Sequence, residues 1–165
     1  MHRTIAHDLG KTLWALPDPN TLVIQHTQDV DWLTIMDGVI ARSHTVEVST
    51  PMTGAPIHWG LIGNPAKAVM RPGAERGKRQ ALPPSEWKAW AQRKLGEAIN
   101  PHSIDATAMP TAHGTKPGMR TTHKRVLFTG TGSVANRDRL AALQHNGVGP
   151  GKAYGCGLLI IQETA

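Results

Sequence analysis

Gly147-Val148-Gly149-Pro150-Gly151-Lys152-Ala153-Tyr154-Gly155-Cys156-Gly157 is the stretch whose reading decides the fold. It lies between Asn136 to His145, which reads as a helix, and Leu158-Leu159-Ile160-Ile161, which reads as a buried strand. Glycine adopts positive φ without penalty and lets backbone N–H groups approach another molecule closely. Successive exposed amides of this kind form an anion-binding concavity, to which Lys152 adds a point charge. The alternative is a tight connection with no ligand. A nucleotide P-loop is excluded, because Gly-x-x-x-x-Gly-Lys-Ser/Thr is absent and the glycines follow a helix. A dinucleotide fingerprint is excluded as well, since no helix follows them.

Working outward, the chain of 165 residues is long enough for one ordinary domain or two small ones. Its net charge of +6 and pI of about 9.9 point to an anionic partner, nucleic acid first. Apolar residues make up 39%, enough for a core, and no run approaches the length of a membrane span. The N-terminus carries no apolar signal core, so a cytoplasmic location is expected. The single cysteine, Cys156, excludes an internal disulfide and any multi-cysteine metal site. It reads as a small buried residue at the start of the last strand.

Before the glycine stretch, His2 to Leu9 reads as a short helix stopped by Gly10. Lys11 to Leu16 and Thr21 to His26 read as strands joined by Pro17-Asp18-Pro19-Asn20. Asp29 to Met36 reads as a short helix or an irregular segment. His44 to Ser49 alternates at period two and predicts a strand; Ile57 to Ile62 predicts another. Arg71 to Pro84 is rich in Pro, Gly, Lys and Arg and reads as a basic linker able to contact phosphates. Ser85 is expected to cap a helix with Trp87, Trp90, Ala91, Leu95 and Ala98 along one face, the tryptophans serving as core. Ile99 to Arg120 reads as loop-rich, with a hairpin tip or loop at His113 to Gly118. Thr121 to Gly130 reads as a strand with a basic start. The order of elements in the C-terminal half fits an α+β layer with a small antiparallel sheet.

Nine histidines invite a metal reading, but their spacings match no His-Glu-x-x-His motif and no Cys/His quartet. No metal site and no cofactor are expected. The carboxylates form no obvious acid pair, and no nucleophile elbow is present. Metal-free acid/base chemistry by a histidine beside a phosphate-binding surface stays open. RNA cleavage through its own 2′-hydroxyl needs a base, an acid and cations for the phosphate.

Four segments together resemble the CasE (subtype I-E) branch of the CRISPR precursor-RNA endoribonucleases. Gly147, Gly149, Lys152, Gly155, Gly157, Leu158 and Leu159 match its C-terminal glycine-loop signature. Trp90-Ala91-Gln92-Arg93-Lys94-Leu95 is similar to its Trp-Leu-x-Arg-Lys-Leu helix, and Asn64-Pro65-Ala66-Lys67 to its Asn-Pro-x-Lys segment. Met1-His2-Arg3 is similar to the Leu-His-Arg of its first helix, where the family carries its general-acid/base histidine. Two departures stand out. The chain starts at that helix, without the strand that precedes it in the family, and its only tyrosine is Tyr154.

The resemblance implies two tandem ferredoxin-like (RRM-like) domains with antiparallel sheets, the first lacking a strand. The expected division is 1–70 for the first domain, 71–84 for a basic linker, and 85–165 for the second. It further implies metal-independent cleavage at the base of a repeat stem-loop, leaving a 2′,3′-cyclic phosphate and a 5′-hydroxyl. The product stays bound, and the protein joins the other subunits of the type I-E surveillance complex. On this reading His2 is the catalytic residue. Arg3, Lys67, Arg71, Arg76, Lys78, Arg79, Lys116, Lys124, Arg125 and Lys152, with the backbone of Gly147, Gly149 and Gly151, form the RNA-binding set. The alternative is a stem-loop-binding subunit that does not cut.

Overall fold

The computed structural model describes residues 12–28, 30–70, 72–73, 77–116 and 119–164. The strands are β1 (Leu13–Asp18), β2 (Thr21–Gln25), β3 (Pro56–Gly63), β4 (Ala66–Val69), β5 (Lys78–Ala81), β6 (Ile99–Pro101), β7 (Asp105–Lys116), β8 (Met119–Val134) and β9 (Leu159–Glu163). The helices are α1 (Trp32–Ile35), α2 (Trp87–Leu95) and α3 (Arg137–Asn146). No helix among the described residues is long and apolar enough to cross a membrane.

The main sheet is antiparallel, in the order β6-β8-β3-β9, with β7 also paired to β8. Chain order therefore runs β3, α2, β6 and β7, β8, α3, β9, with β3 between β8 and β9. This is a ferredoxin-like βαββαβ unit. Both helices cover one face of the sheet. Ile57, Trp59 and Leu61 of β3 alternate toward them, as do Val126 and Phe128 of β8, and all five are buried with Trp90, Leu95 and Leu140. Trp90 stacks on Phe128 with ring centroids 5.6 Å apart. Burial of side chains this large contributes about 1.5–3 kcal/mol each, so the two tryptophans of α2 are packing residues, as their spacing suggests.

The expected domain division needs correction. The strand at 56–63, assigned on chain order to a first domain of 1–70, is a central strand of the second sheet. The second unit thus opens before residue 56, not at 85. Nor is 71–84 wholly a linker: Lys78–Ala81 pairs with Ala66–Val69 as a hairpin inserted between β3 and α2. Its charges and glycines conceal a ladder of four residue pairs. What the described residues contribute to the first unit is the β1–β2 hairpin and α1. Leu13 and Ala15 of β1 pack on the sheet face opposite the helices, against Ile62, Cys156 and Leu158.

Four local expectations also change. Residues 42–50 form no regular element, and Val46 and Val48 are each 64% exposed; no strand among the described residues pairs with them, and alternation without a ladder satisfies no backbone group. Ser85 does not cap α2, which begins after a tight turn at Pro84–Glu86 with no side-chain cap; proline is preorganised for that first turn. The region 99–120 is mostly strand, because β8 supplies a full edge for β6 and β7. By contrast α3 begins as its sequence suggests, with Asn136 Oδ1 accepting from the Arg139 N–H at 3.0 Å.

Candidate nucleic-acid interface

The glycine stretch leaves α3 at Gly147, whose N–H donates to Leu143 O at 2.8 Å. It then closes on itself. Val148 N–H donates to Gly157 O (2.8 Å), Tyr154 N–H donates to Gly151 O (2.8 Å), and Gly157 N–H donates to Ile62 O at the end of β3 (2.7 Å). All five glycines have φ between 70° and 95°. Gly155 shows why no other residue fits: a Cβ there would stand 2.8 Å from the Trp14 ring, at a φ of 73°. Most of the loop amides therefore hold the loop together. Those of Gly149 and Gly151 donate to no group among the described residues, and both lie just before the turn that carries Lys152.

That turn rests on a side-chain stack the sequence reading did not single out. Tyr154 lies flat on His123 of β8, with centroids 4.0 Å apart and planes 24° apart. Its hydroxyl is 3.0 Å from Thr121 Oγ1. At the edge of the imidazole, Asn64 Nδ2 lies 2.9 Å from His123 Nδ1. With the amide nitrogen donating, the ring accepts at Nδ1 and carries its proton on Nε2, which is buried without a partner. Burial first, and the Arg79 charge second, hold the imidazole below its ordinary pKa, so the neutral ring is favoured.

Asn64 follows β3 and is itself buried. At Gly151 a Cβ would stand 3.3 Å from Asn64 Cβ and 3.4 Å from Cys156 Cβ, so the loop and the end of β3 are in close packing. The Cys156 thiol is fully buried, and burial pushes its pKa up to about 11. It is no nucleophile at neutral pH.

Of the cations predicted to bind RNA, the structure brings three around this stack. Arg79 of β5 acts on His123, Arg125 of β8 acts on Cys156, and Lys152 sits in the turn itself. Arg125 Nε also donates to Pro110 O at 2.8 Å, across the irregularity in the β7–β8 ribbon. Lys124 alternates to the other side of that ribbon from His123 and Arg125, and is exposed. Lys67 pairs weakly with Glu86 at 3.9 Å, both side chains being about half exposed. Lys67 and Lys78 alternate away from Arg79 on the β4–β5 hairpin. Lys116 ends β7 opposite Met119. His2, Arg3, Arg71 and Arg76 lie outside the described residues.

Asn64, His123 and Tyr154 were missed as a set because nothing in chain order links them. The available signal was the Asn-Pro pair that ends a strand and the lone aromatic among the loop glycines.

The model of the family described as "CRISPR associated protein" matches residues 2–163. The chain belongs to that family. It is 28% identical to the CRISPR-associated endoribonuclease Cse3 of Thermus thermophilus, over 98% of this chain and 88% of that one. It is 27% identical to the CRISPR system Cascade subunit CasE of Escherichia coli K12, over 64% of this chain and 57% of that one. Its fold superposes on Thermus thermophilus Cse3 bound to an RNA representing a pre-cleavage complex, with a TM-score of 0.76 and 27% identity; the match covers 98% of this chain and 87% of that one. The fold is accordingly the double ferredoxin-like arrangement of the CasE branch.

Proposed function

We propose that the chain is an endoribonuclease that cuts precursor CRISPR RNA at its repeat stem-loop and keeps the product as a subunit of the surveillance complex. The observation that carries this reading is the match along nearly the whole chain to Cse3, a protein named as an endoribonuclease and solved with RNA bound. The cluster of Arg79, Arg125 and Lys152 around the His123–Tyr154 stack supports it, since RNA binding rests first on cations placed for phosphates. Work on RNA in such a complex fits a cytoplasmic location.

In the reaction, a base removes the proton from the 2′-hydroxyl, whose oxygen attacks the adjacent phosphorus. The bond from phosphorus to the 5′-oxygen breaks, and that oxygen takes up a proton. The products are a 2′,3′-cyclic phosphate and a 5′-hydroxyl. His2 is the residue assigned to the proton transfers. Lys152, with the amides of Gly149 and Gly151, offsets the charge that develops on the phosphate oxygens. Arg79 and Arg125 hold the backbone in register. No step requires a metal ion.

The test is cleavage of a labelled repeat stem-loop in the presence of a chelator, by the chain and by His2→Ala. Cutting by the first alone establishes metal-free catalysis through His2. Binding without cutting by both leaves a stem-loop holder. Loss of cutting in chelator with recovery on added metal overturns the metal-free step.

A further inference from the structure

The main sheet has two faces, and the described residues cover only part of the second. Near the glycine loop, the β1–β2 hairpin packs over Ile62 and Leu158. At the opposite end of the strands the described residues leave the same face open. There the register sets Gln162, His58 and Thr131 in one row across β9, β3 and β8, and Ile160, Gly60, Thr129 and Asp105 in the next. Together they border a shallow depression of about 400 Å³. Its floor is Gly60: a Cβ built there meets nothing within 4 Å, so the space above the backbone is empty. Ile160 flanks it, 47% exposed although apolar. At the rim, Lys88 Nζ lies 3.7 Å from Asp105 Oδ1, both well exposed, which holds a cation beside the depression.

We propose that this face is a second RNA site, which takes one unpaired nucleotide with its base flat over Gly60 and its phosphate on Lys88. The glycine gives a flat floor and Ile160 an apolar flank for the base. The Gln162 amide oxygen, on the strand next to Gly60 and away from Lys88, offers an acceptor for an exocyclic amino group such as that of cytosine. Single-stranded RNA is bound in this manner, by bases laid on an open sheet and phosphates on nearby cations. The site is separate from the His123–Tyr154 cluster, which lies beyond the covered part of the face. The proposal rests on the reading of this chain as a stem-loop binder, and extends it to the single-stranded flank.

The test compares a repeat stem-loop alone with the same stem-loop carrying a short unpaired cytidine flank, by fluorescence anisotropy. The expected result is that the flank tightens binding about fivefold, within the range of one stacked base. Gly60→Leu, which fills the depression at an ordinary strand position, abolishes that gain and leaves stem-loop affinity unchanged. Gln162→Ala reduces the gain without touching the floor. Because stem-loop affinity is read separately, failure of the main function shows as loss in both RNAs. In that case photo-crosslinking of an oligocytidine to the peptide containing residues 58–60 still tests this face. A flank that adds nothing, or a gain that survives Gly60→Leu in a folded variant, overturns the site and leaves the face to a protein neighbour.

Discussion

Tyr154 lies on His123 at a centroid separation of 4.0 Å, and the hydroxyl end of its ring packs against the main chain at Gly114. A Cβ placed at Gly114 would stand 2.3 Å from Tyr154 Cε1. The hairpin arm of β7 and β8 therefore grips the turn that carries Lys152. Gly114→Ala is expected to destabilise the fold by about 2 kcal/mol, in the range of an overpacked site. In a Tyr154→Ala background the same change is expected to cost less than about 0.5 kcal/mol, because the ring it meets is gone. Urea denaturation of the four proteins of this cycle gives the coupling. Equal costs in both backgrounds would mean that the ring does not hold the arm.

The hydroxyl makes a separate contribution. Tyr154→Phe loses the 3.0 Å contact to Thr121 Oγ1 but keeps the stack. A stability loss of about 1 kcal/mol is expected, typical of one hydrogen bond, with RNA affinity nearly unchanged. Tyr154→Ala is expected to weaken RNA binding as well, since the turn then loses its seat. If Phe and Ala weaken RNA binding equally, the hydroxyl itself contacts RNA.

His123 makes stability depend on pH in one direction. Its folded pKa is lowered, by burial and then by Arg79, so the folded state resists a proton that the unfolded state accepts near pH 6.5. Between those two values the unfolded state binds more protons, so stability falls as pH drops below about 6.5. His123→Gln is expected to flatten this part of the curve relative to the parent. The measurement is the urea midpoint across pH 5 to 8 for both proteins. Identical profiles would show that other histidines account for the slope.

The residues that the sequence revealed and those it concealed differ in kind. The strands at 57–62 and 121–130 and the helix from 136 were legible because alternation, or an asparagine cap, is encoded locally. The place of β3 in the second sheet was not, because its partners Val126 to Ser133 and Leu159 to Glu163 lie far along the chain. The β4–β5 hairpin hid behind the composition of a linker. At the candidate site the loop was legible from its glycines. Its seat on His123 was not, since a histidine in a basic strand start reads as a solvated residue until Asn64 and Tyr154 enclose it.

The cations provide a quantitative check on the RNA-binding cluster. Each phosphate contact adds close to one unit to the slope of log affinity against log salt. Lys152→Ala and Arg79→Ala are each expected to weaken stem-loop binding about tenfold at moderate salt, and to reduce the slope by about one unit. Lys67→Ala, whose side chain faces Glu86 on the other side of the β4–β5 hairpin, is expected to change the slope less. Arg79→Ala carries a second signature: removing that charge raises the pKa of His123, readable by NMR titration of the imidazole. A slope unchanged by either Lys152→Ala or Arg79→Ala would move the phosphate path off this cluster.

Cys156 reports on the docking of the β1–β2 hairpin. The thiol is fully buried in the cluster that holds Leu13, Ile62 and Leu158, and burial keeps it protonated to about pH 11. In the folded chain it is expected to react with a thiol reagent only through opening of that cluster. Leu13→Ala removes the side chain that also packs against Gly147, and a cost of about 3 kcal/mol is expected from the cavity. Labelling at pH 8 should then accelerate at least tenfold, while the near-ultraviolet signal of Trp90 and Trp59 in the other cluster is retained. If labelling and that signal change together, the hairpin and the main sheet open as one unit and the β1–β2 hairpin is no separate lid on the sheet.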